Sequence, residues 1–215
     1  MNFFDYVGEN RGRITFLLVQ HVQVVLLAVA IAMVISIALA IGTESLPKVR
    51  AAALSITGTI LTIPSFALFG LMIPVFGLGV IPTILALTVY AIFPILRNTV
   101  TGLESVDPAV VDAARGMGMG SWQRLRVIRL PLAWPVIVNG VRVATIMVVA
   151  IAAIGAAVRG PGLGELIFRG LSRLGGANAL NEALSGVVAI VLVAIGLDAL
   201  FLLIVKLTTP RGLRV

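Results

Sequence analysis

Few residues in this 215-residue chain are of types that carry chemistry, and their spacing excludes most of it. Histidine occurs once, as His21, and cysteine not at all, which removes disulfides, thiolate nucleophiles and His/Cys metal sites together. No acidic residue lies near His21 in sequence, so a Ser/His/Asp hydrolase arrangement has no support. The only lysines, Lys48 and Lys206, are not preceded by glycine. A Gly-x-x-x-x-Gly-Lys-Ser/Thr phosphate loop is therefore missing, and the chain is not expected to hydrolyse ATP, to hold a metal or to carry a cofactor of its own. Two features remain. Arg142 and Asp198 stand in apolar runs, and residues 97–132 form a polar stretch with a regular pattern of charge, glycine and proline.

The elements that position these residues are membrane spans. Sixty per cent of the chain is hydrophobic, 12% is charged and the mean hydropathy is +1.13, which excludes an ordinary soluble domain. Spans need about 20 apolar residues each, and five runs meet this: 17–41, 51–76, 80–96, 133–158 and 184–205. The first could be a signal peptide, since Ala38-Leu39-Ala40 imitates a cleavage site. Its apolar run is longer than the roughly 7–15 residues of a signal, and four more spans follow, so it reads as a retained helix. Pro64 and Pro74 are expected to break the second span; Pro82 and Pro94 lie near the ends of the third. Such prolines fit either a bundle with an interior path or ordinary kinks.

Five spans put the termini on opposite sides. With the amino terminus outside, eleven basic residues face inward, among them Arg97, Arg115, Arg124, Arg126 and Arg129, and five face outward. Most of the net charge of +7 is then topology and contact with anionic lipid, not a nucleic-acid surface. Arg142 and Asp198 fall at similar depths from the inner ends of their spans, which suggests an ion pair; the competing reading is a snorkelling arginine and an aspartate facing a wet cavity. Asn139, a turn from Arg142, is expected to hydrogen-bond between helices. His21, between Gln20 and Gln23, is expected at a partly solvated outer helix end rather than in a pH sensor.

Within residues 97–132, Asp107-Pro108 is a helix start, with Asp as cap and Pro at the first helical position. One short helix runs through Asp112, Ala113, Ala114 and Arg115, and Gly116, Gly118 and Gly120 stop it. Ser121 is expected to cap a second short helix, which Pro131 and Pro135 end. The result is a helix–turn–helix elbow with Met117 and Met119 at its corner. It is either an amphipathic segment lying on lipid or a knob that a soluble partner grips.

At this elbow the sequence resembles the permeases of type I ABC importers. Their cytoplasmic motif reads Glu-Ala-Ala, three residues, Gly, nine residues, Ile, any residue, Leu-Pro. Here Asp112-Ala113-Ala114, Gly118, Ile128 and Leu130-Pro131 keep every spacing, with Asp for Glu. Thr62-Ile63-Pro64-Ser65, Pro94 to Thr99, Val106-Asp107-Pro108 through Ala113 to Met119, and Gly162 to Gly170 look like the glycine betaine/carnitine/choline subfamily. The chain departs from that subfamily's usual Ile-Gly-Ala-Gly-Gly-Leu-Gly by reading Ile154-Gly155-Ala156-Ala157-Val158-Arg159-Gly160-Pro161-Gly162-Leu163-Gly164.

The resemblance implies an all-α integral membrane protein: a five-helix type I importer bundle over residues 17–205 in a bacterial plasma membrane. An outer tail (1–16) would precede it and a cytoplasmic tail (206–215) would follow, with 97–132 as the coupling loop. It also implies two cytoplasmic ATPase subunits that bind ATP and magnesium, a second permease copy or a sister permease, and an extracytoplasmic substrate-binding protein. Asp112, Ala113, Ala114, Gly118, Ile128, Leu130 and Pro131 would couple to the ATPase, with Ala114 and Gly118 at the tightest contact. The expected cargo is a quaternary-amine compatible solute. No aromatic cage for it is visible among 13 aromatic residues, and the substrate-binding residues stay unassigned. The alternatives are a permease for another zwitterion or an amino acid such as methionine, and an ATPase-independent channel or carrier.

Overall fold

The computed structural model describes residues 1–208, and all regular structure among them is helical. Helix α1 (Phe3–Glu9) is capped by the Asn2 side chain, which accepts from the Asp5 N–H at 2.9 Å. Residues 1–16 are thus not a plain tail: they hold α1 and the start of α2 (Arg11–Gly42). Helices α5 (Val80–Glu104), α8 (Leu130–Ile154) and α10 (Ala179–Thr208) are the other long apolar elements. The second expected span is instead a pair, α3 (Pro47–Leu61) and α4 (Ser65–Phe76), bent by 98°. Pro64 stands at that bend as the residue before α4, whereas Pro74 lies inside α4 without ending it.

Contacts at the two ends give the topology. At one end, Arg50 at the start of α3 pairs with Glu104 at the end of α5 at 2.9 Å. At the other, the N–H of Gly79, just before α5, donates to the Val158 carbonyl beyond α8 at 2.8 Å. The bent pair therefore joins opposite ends of the bundle, and the chain crosses it five times.

Helices α2, α5 and α8 make the centre. Ala28, Ala32, Ala86, Ala91 and Ala144 are fully buried there, and such small residues let helix backbones approach closely where lipid supplies no hydrophobic drive. A second, smaller cluster joins Ala40, Leu96, Val100, Leu103, Leu125, Ala133 and Ile137 near the α3 end.

Three expectations about the elbow change. Helix α5 runs to Glu104, and a helix resumes at Ser121, so only residues 105–120 lie outside the long helices. Helix α6 (Pro108–Gly116) follows α5. Helix α7 (Ser121–Arg124) then passes through a π-helical turn (Leu125–Arg129) straight into α8. Ser121 does not cap: it is the first helical residue, and Gly120 precedes it. Pro131 and Pro135 do not end the helix either. The wider π turn falls where the Pro131 ring would crowd the carbonyl four residues back, and burial of Leu125, Ala133 and Ile137 holds the helix together across it.

Candidate coupling site and intramembrane ion pair

The elbow begins as its residues indicate. The Asp107 carboxylate accepts from the Ala109 N–H at 2.8 Å, and Pro108 needs no partner for the N–H it lacks. Its far end explains the spacing of the motif. Gly118 has φ +83°; its N–H donates to the Arg115 carbonyl at 3.0 Å and that of Met119 to the Ala114 carbonyl at 3.1 Å. This is the Schellman ending, in which a left-handed glycine returns the chain over the last turn. Gly118 alone of the three glycines takes a positive φ; Gly116 is helical and Gly120 extended.

Asp112, Ala113 and Gly118 are exposed, as are the side chains of Met117 and Trp122 at the corner. Ala114 is fully buried within the chain, so the tightest contact expected for it is internal. Its position one residue past Ala113 turns its methyl from the outer to the inner side of α6. Ile128 and Leu130 are half-buried and Pro131 is exposed, all at the joint with α8 rather than at the corner. The motif thus divides into an exposed knob and a packed joint.

One side chain fastens that joint. Arg129 forms an ion pair with Glu44, just beyond α2, and donates from Nη2 to the Leu103 carbonyl at 3.0 Å near the end of α5. It thereby ties three spans together at the foot of the elbow. Arg124 is spent locally, on the Met119 carbonyl at 2.5 Å and the Ser121 hydroxyl at 3.2 Å. Between the knob and the end of α2 lies a groove of about 460 Å³, lined by Ile41, Ser45, Val111 and Trp122 among others.

Arg142 and Asp198 meet across α8 and α10 in two parallel bonds, Nε to Oδ1 at 2.6 Å and Nη2 to Oδ2 at 3.0 Å. Both side chains remain 29% exposed. Asn139 faces outward and makes no hydrogen bond among the described residues, contrary to the expected interhelical role. On the same face of α8, Arg142 reaches α10 through Asp198, while Val143 and Ile146 are exposed.

Comparison with known proteins bears on the same residues. Residues 32–212 match the family described as the binding-protein-dependent transport system inner membrane component. The chain belongs to that family. Among curated relatives, an osmoprotectant import permease protein, OsmW of Salmonella typhimurium, is 38% identical over the full length of both chains. A glycine betaine/carnitine/choline transport system permease protein, OpuCB of Bacillus subtilis, is 30% identical over 97% of this chain and 94% of its own. A solved chain of the MetNI methionine ABC transporter, facing inward, superposes with a TM-score of 0.81 at 24% identity, over 92% of this chain and 96% of that one. That likeness concerns the fold.

This inner membrane component has a second organised region, at the bundle end away from the elbow, that sequence reasoning missed. A 3-10 turn (Gly155–Val158) and the loop after it lead into α9 (Gly164–Ser172), which lies against the start of α10. Gly162, at φ +122°, lays its backbone over His21. His21 is consequently fully buried, not partly solvated, with Nε2 3.1 Å from the Val149 carbonyl and Nδ1 without a hydrogen-bond partner among the described residues. The covering loop is nearly 140 residues away in sequence, so nothing around His21 announces it. Arg13 spans Glu165 at 2.8 Å and Glu182 at 3.0 Å, joining α2, α9 and α10. Burial beside this cluster raises the Tyr6 phenol above its ordinary value, and the charge of Glu182 adds to the effect. The glycines of the Gly160–Gly170 stretch were the available signal, but they show only where space is short, not what fills it.

Proposed function

We propose that this chain is the membrane-spanning permease of an ATP-driven importer for a quaternary-amine compatible solute of the glycine betaine, choline or carnitine type. The elbow is the observation that carries it: a knob with exposed Asp112, Ala113, Met117 and Gly118, closed at its corner and clamped by Arg129 to three spans. A lipid-lying segment needs an apolar stripe, not a clamped corner. A knob of this kind suits a groove in a soluble ATPase, where closure of an ATPase pair would pull Asp112, Ala113 and Gly118. Ile128, Leu130 and Pro131 would pass that motion into α8, rocking a packed bundle between two states. Ala114 contributes from inside, by holding α6 in shape.

The cargo class follows the names of the relatives, which transport osmoprotectants, glycine betaine, carnitine and choline. In this reading ATP and magnesium belong to two ATPase partners, a binding protein delivers solute outside, and a second copy or a sister permease completes the pore. The basic residues near the elbow, Arg115, Arg124, Arg126 and Arg129, favour the cytoplasmic side for it, with the amino terminus outside.

The test is uptake of radiolabelled glycine betaine, choline and carnitine by cells lacking their own osmolyte transporters. They express this chain together with an ATPase and a binding protein of the same transporter type from its source organism. Uptake that disappears when the ATPase is inactivated is the expected result. Uptake that persists without the ATPase would overturn it in favour of a passive carrier; no uptake of any of the three by an intact complex would discard the osmolyte.

A further inference from the structure

Asn139, Arg142, Val143 and Ile146 follow one another at intervals of three, one and three, so they share one face of α8. Asn139, Val143 and Ile146 are exposed, and the Arg142–Asp198 pair is 29% exposed beside them. Arg142 stands about 18 Å along α8 from its first residue, and Asp198 about 15 Å from the last residue of α10, well inside helices that cross an apolar layer some 30 Å thick.

Hydrocarbon cannot serve this face. Of the five N–H donors of a guanidinium, Arg142 places two on Asp198. The other three, and the Asn139 amide, have no partner among the described residues. Intramembrane charges of this kind face water-filled space or the bundle interior, because lipid offers no acceptors. A second permease packed here would have to cover three donors and an amide on an otherwise apolar strip of Val143 and Ile146; water satisfies them all.

The pair also has a specific chemical complement. Its net charge is zero, as is that of a zwitterion. When a zwitterion's carboxylate replaces Asp198 on Arg142 and its cationic head lies beside Asp198, every charge keeps an opposite partner. A solute with a cationic head and no carboxylate leaves Arg142 unmatched. We propose that this face of α8 lines the hydrated path through the bundle and that Arg142 and Asp198 form a station at which a zwitterion crosses, its carboxylate on Arg142 and its cation beside Asp198. The cargo half of this rests on the importer reading; the path half does not.

The chain has no cysteine, so single cysteines read on this chain report water access without background from its own residues. In the assembled transporter, Asn139→Cys, Val143→Cys and Ile146→Cys are expected to react with a charged, membrane-impermeant thiol reagent, and saturating glycine betaine is expected to slow them. Leu192→Cys and Leu200→Cys, on exposed positions of α10 turned away from Asp198, are expected not to react. If all five positions are inert to the charged reagent, or all five react alike, the path assignment is wrong.

The station is tested by Arg142→Gln, which removes the cation but keeps a polar side chain. Glycine betaine uptake is expected to fall about tenfold or more, the loss of one charge-assisted hydrogen bond, and choline uptake by a clearly smaller factor. The double variant Arg142→Asp with Asp198→Arg keeps the pair if Arg142→Gln fails to assemble, and it is expected to retain the preference for betaine. Equal loss of both solutes in Arg142→Gln, or a reversed preference in the double variant, overturns the station. If the unaltered transporter takes up neither solute, the osmolyte cargo falls and the station with it, and the labelling still decides the path.

Discussion

The two ends of the bundle both turn on glycine, for opposite reasons. At the elbow, a Cβ added to Gly116, Gly118 or Gly120 would meet nothing within 4 Å. Only Gly118 is constrained, and by its φ of +83° rather than by a neighbour. At the far end, a Cβ on Gly164 would run into the Ala153 carbonyl, and one on Gly170 would lie 2.6 Å from both the Ala179 oxygen and the Ala183 nitrogen. The far end is closed by its own chain, glycine against backbone. The elbow is shaped by its own chain but covered by none of it, which leaves its surface for a partner. One residue type thus serves tertiary packing in one place and presentation in the other.

That contrast breaks first at Gly164. Backbone cannot yield as a flexible side chain can, so Gly164→Ala forces α9 off α8. The cost should reach or exceed the roughly 1–3 kcal/mol of an overpacked core, and the protein should be scarce in membranes and unstable in detergent. Gly116→Ala, in open space at a helical φ, should be indistinguishable from the parent or slightly more stable. Equal thermal stability of the two variants in detergent would show that the far end is no tighter than the elbow.

Gly118 separates shape from docking. Gly118→Arg adds a bulky side chain where this chain has room, so its own fold should lose only about 1 kcal/mol from the left-handed backbone. Membrane abundance should stay near normal, while co-purification of the ATPase and transport are lost. Gly118→Asn, better suited to that backbone, should keep part of both. If Gly118→Arg retains its ATPase and transports, the elbow is not where the partner binds.

These cases also mark how far the sequence could be read. The Ala-Ala-x-x-x-Gly spacing was visible because a Schellman turn is local: the carbonyls of Ala114 and Arg115 and the N–H groups of Gly118 and Met119 lie within six residues. Long apolar runs announced the spans for the same reason. What stayed hidden depends on partners distant in the chain. Pro131 looked like a stop because nothing nearby shows that Leu125 and Ile137 will be packed on either side of it. His21 looked solvated because the loop that covers it begins at Gly160. The contact of Arg142 with Asp198 lay between: their depths could be compared from sequence, but whether they point at each other is set by the rotation of two helices 56 residues apart.

Changes at the joint below the elbow should harm transport less than either Gly164→Ala or Gly118→Arg. Glu44→Gln keeps size and hydrogen-bonding capacity but removes the charge facing Arg129, whose bond to the Leu103 carbonyl remains. Folding should change by about 1–2 kcal/mol, and the larger effect should be on transmission: more ATP hydrolysed per solute imported. Exchanging the charges, Glu44→Arg with Arg129→Glu, should recover part of that ratio although it forfeits the bond to Leu103. An unchanged ratio in Glu44→Gln would mean that the elbow moves α8 alone.

Arg50 and Glu104 sharpen this last point by being so similar. Their ion pair, at 2.9 Å, also links two elements at the elbow end, α3 and α5. The Glu104 side chain is 53% exposed, however, against 35% for Glu44, and the Arg50 side chain makes no further bond among the described residues. An exposed pair gains little, because water screens the attraction and two long side chains lose freedom in holding it. Arg50→Ala should therefore cost less than about 1 kcal/mol, an amount that fades with added salt, and should leave the ratio of ATP to solute where it was. The comparison is informative because charge and location are shared while the second anchor and the exposure differ. A loss of coupling in Arg50→Ala as large as that in Glu44→Gln would shift the weight from the clamp made by Arg129 to the total charge at this end of the bundle.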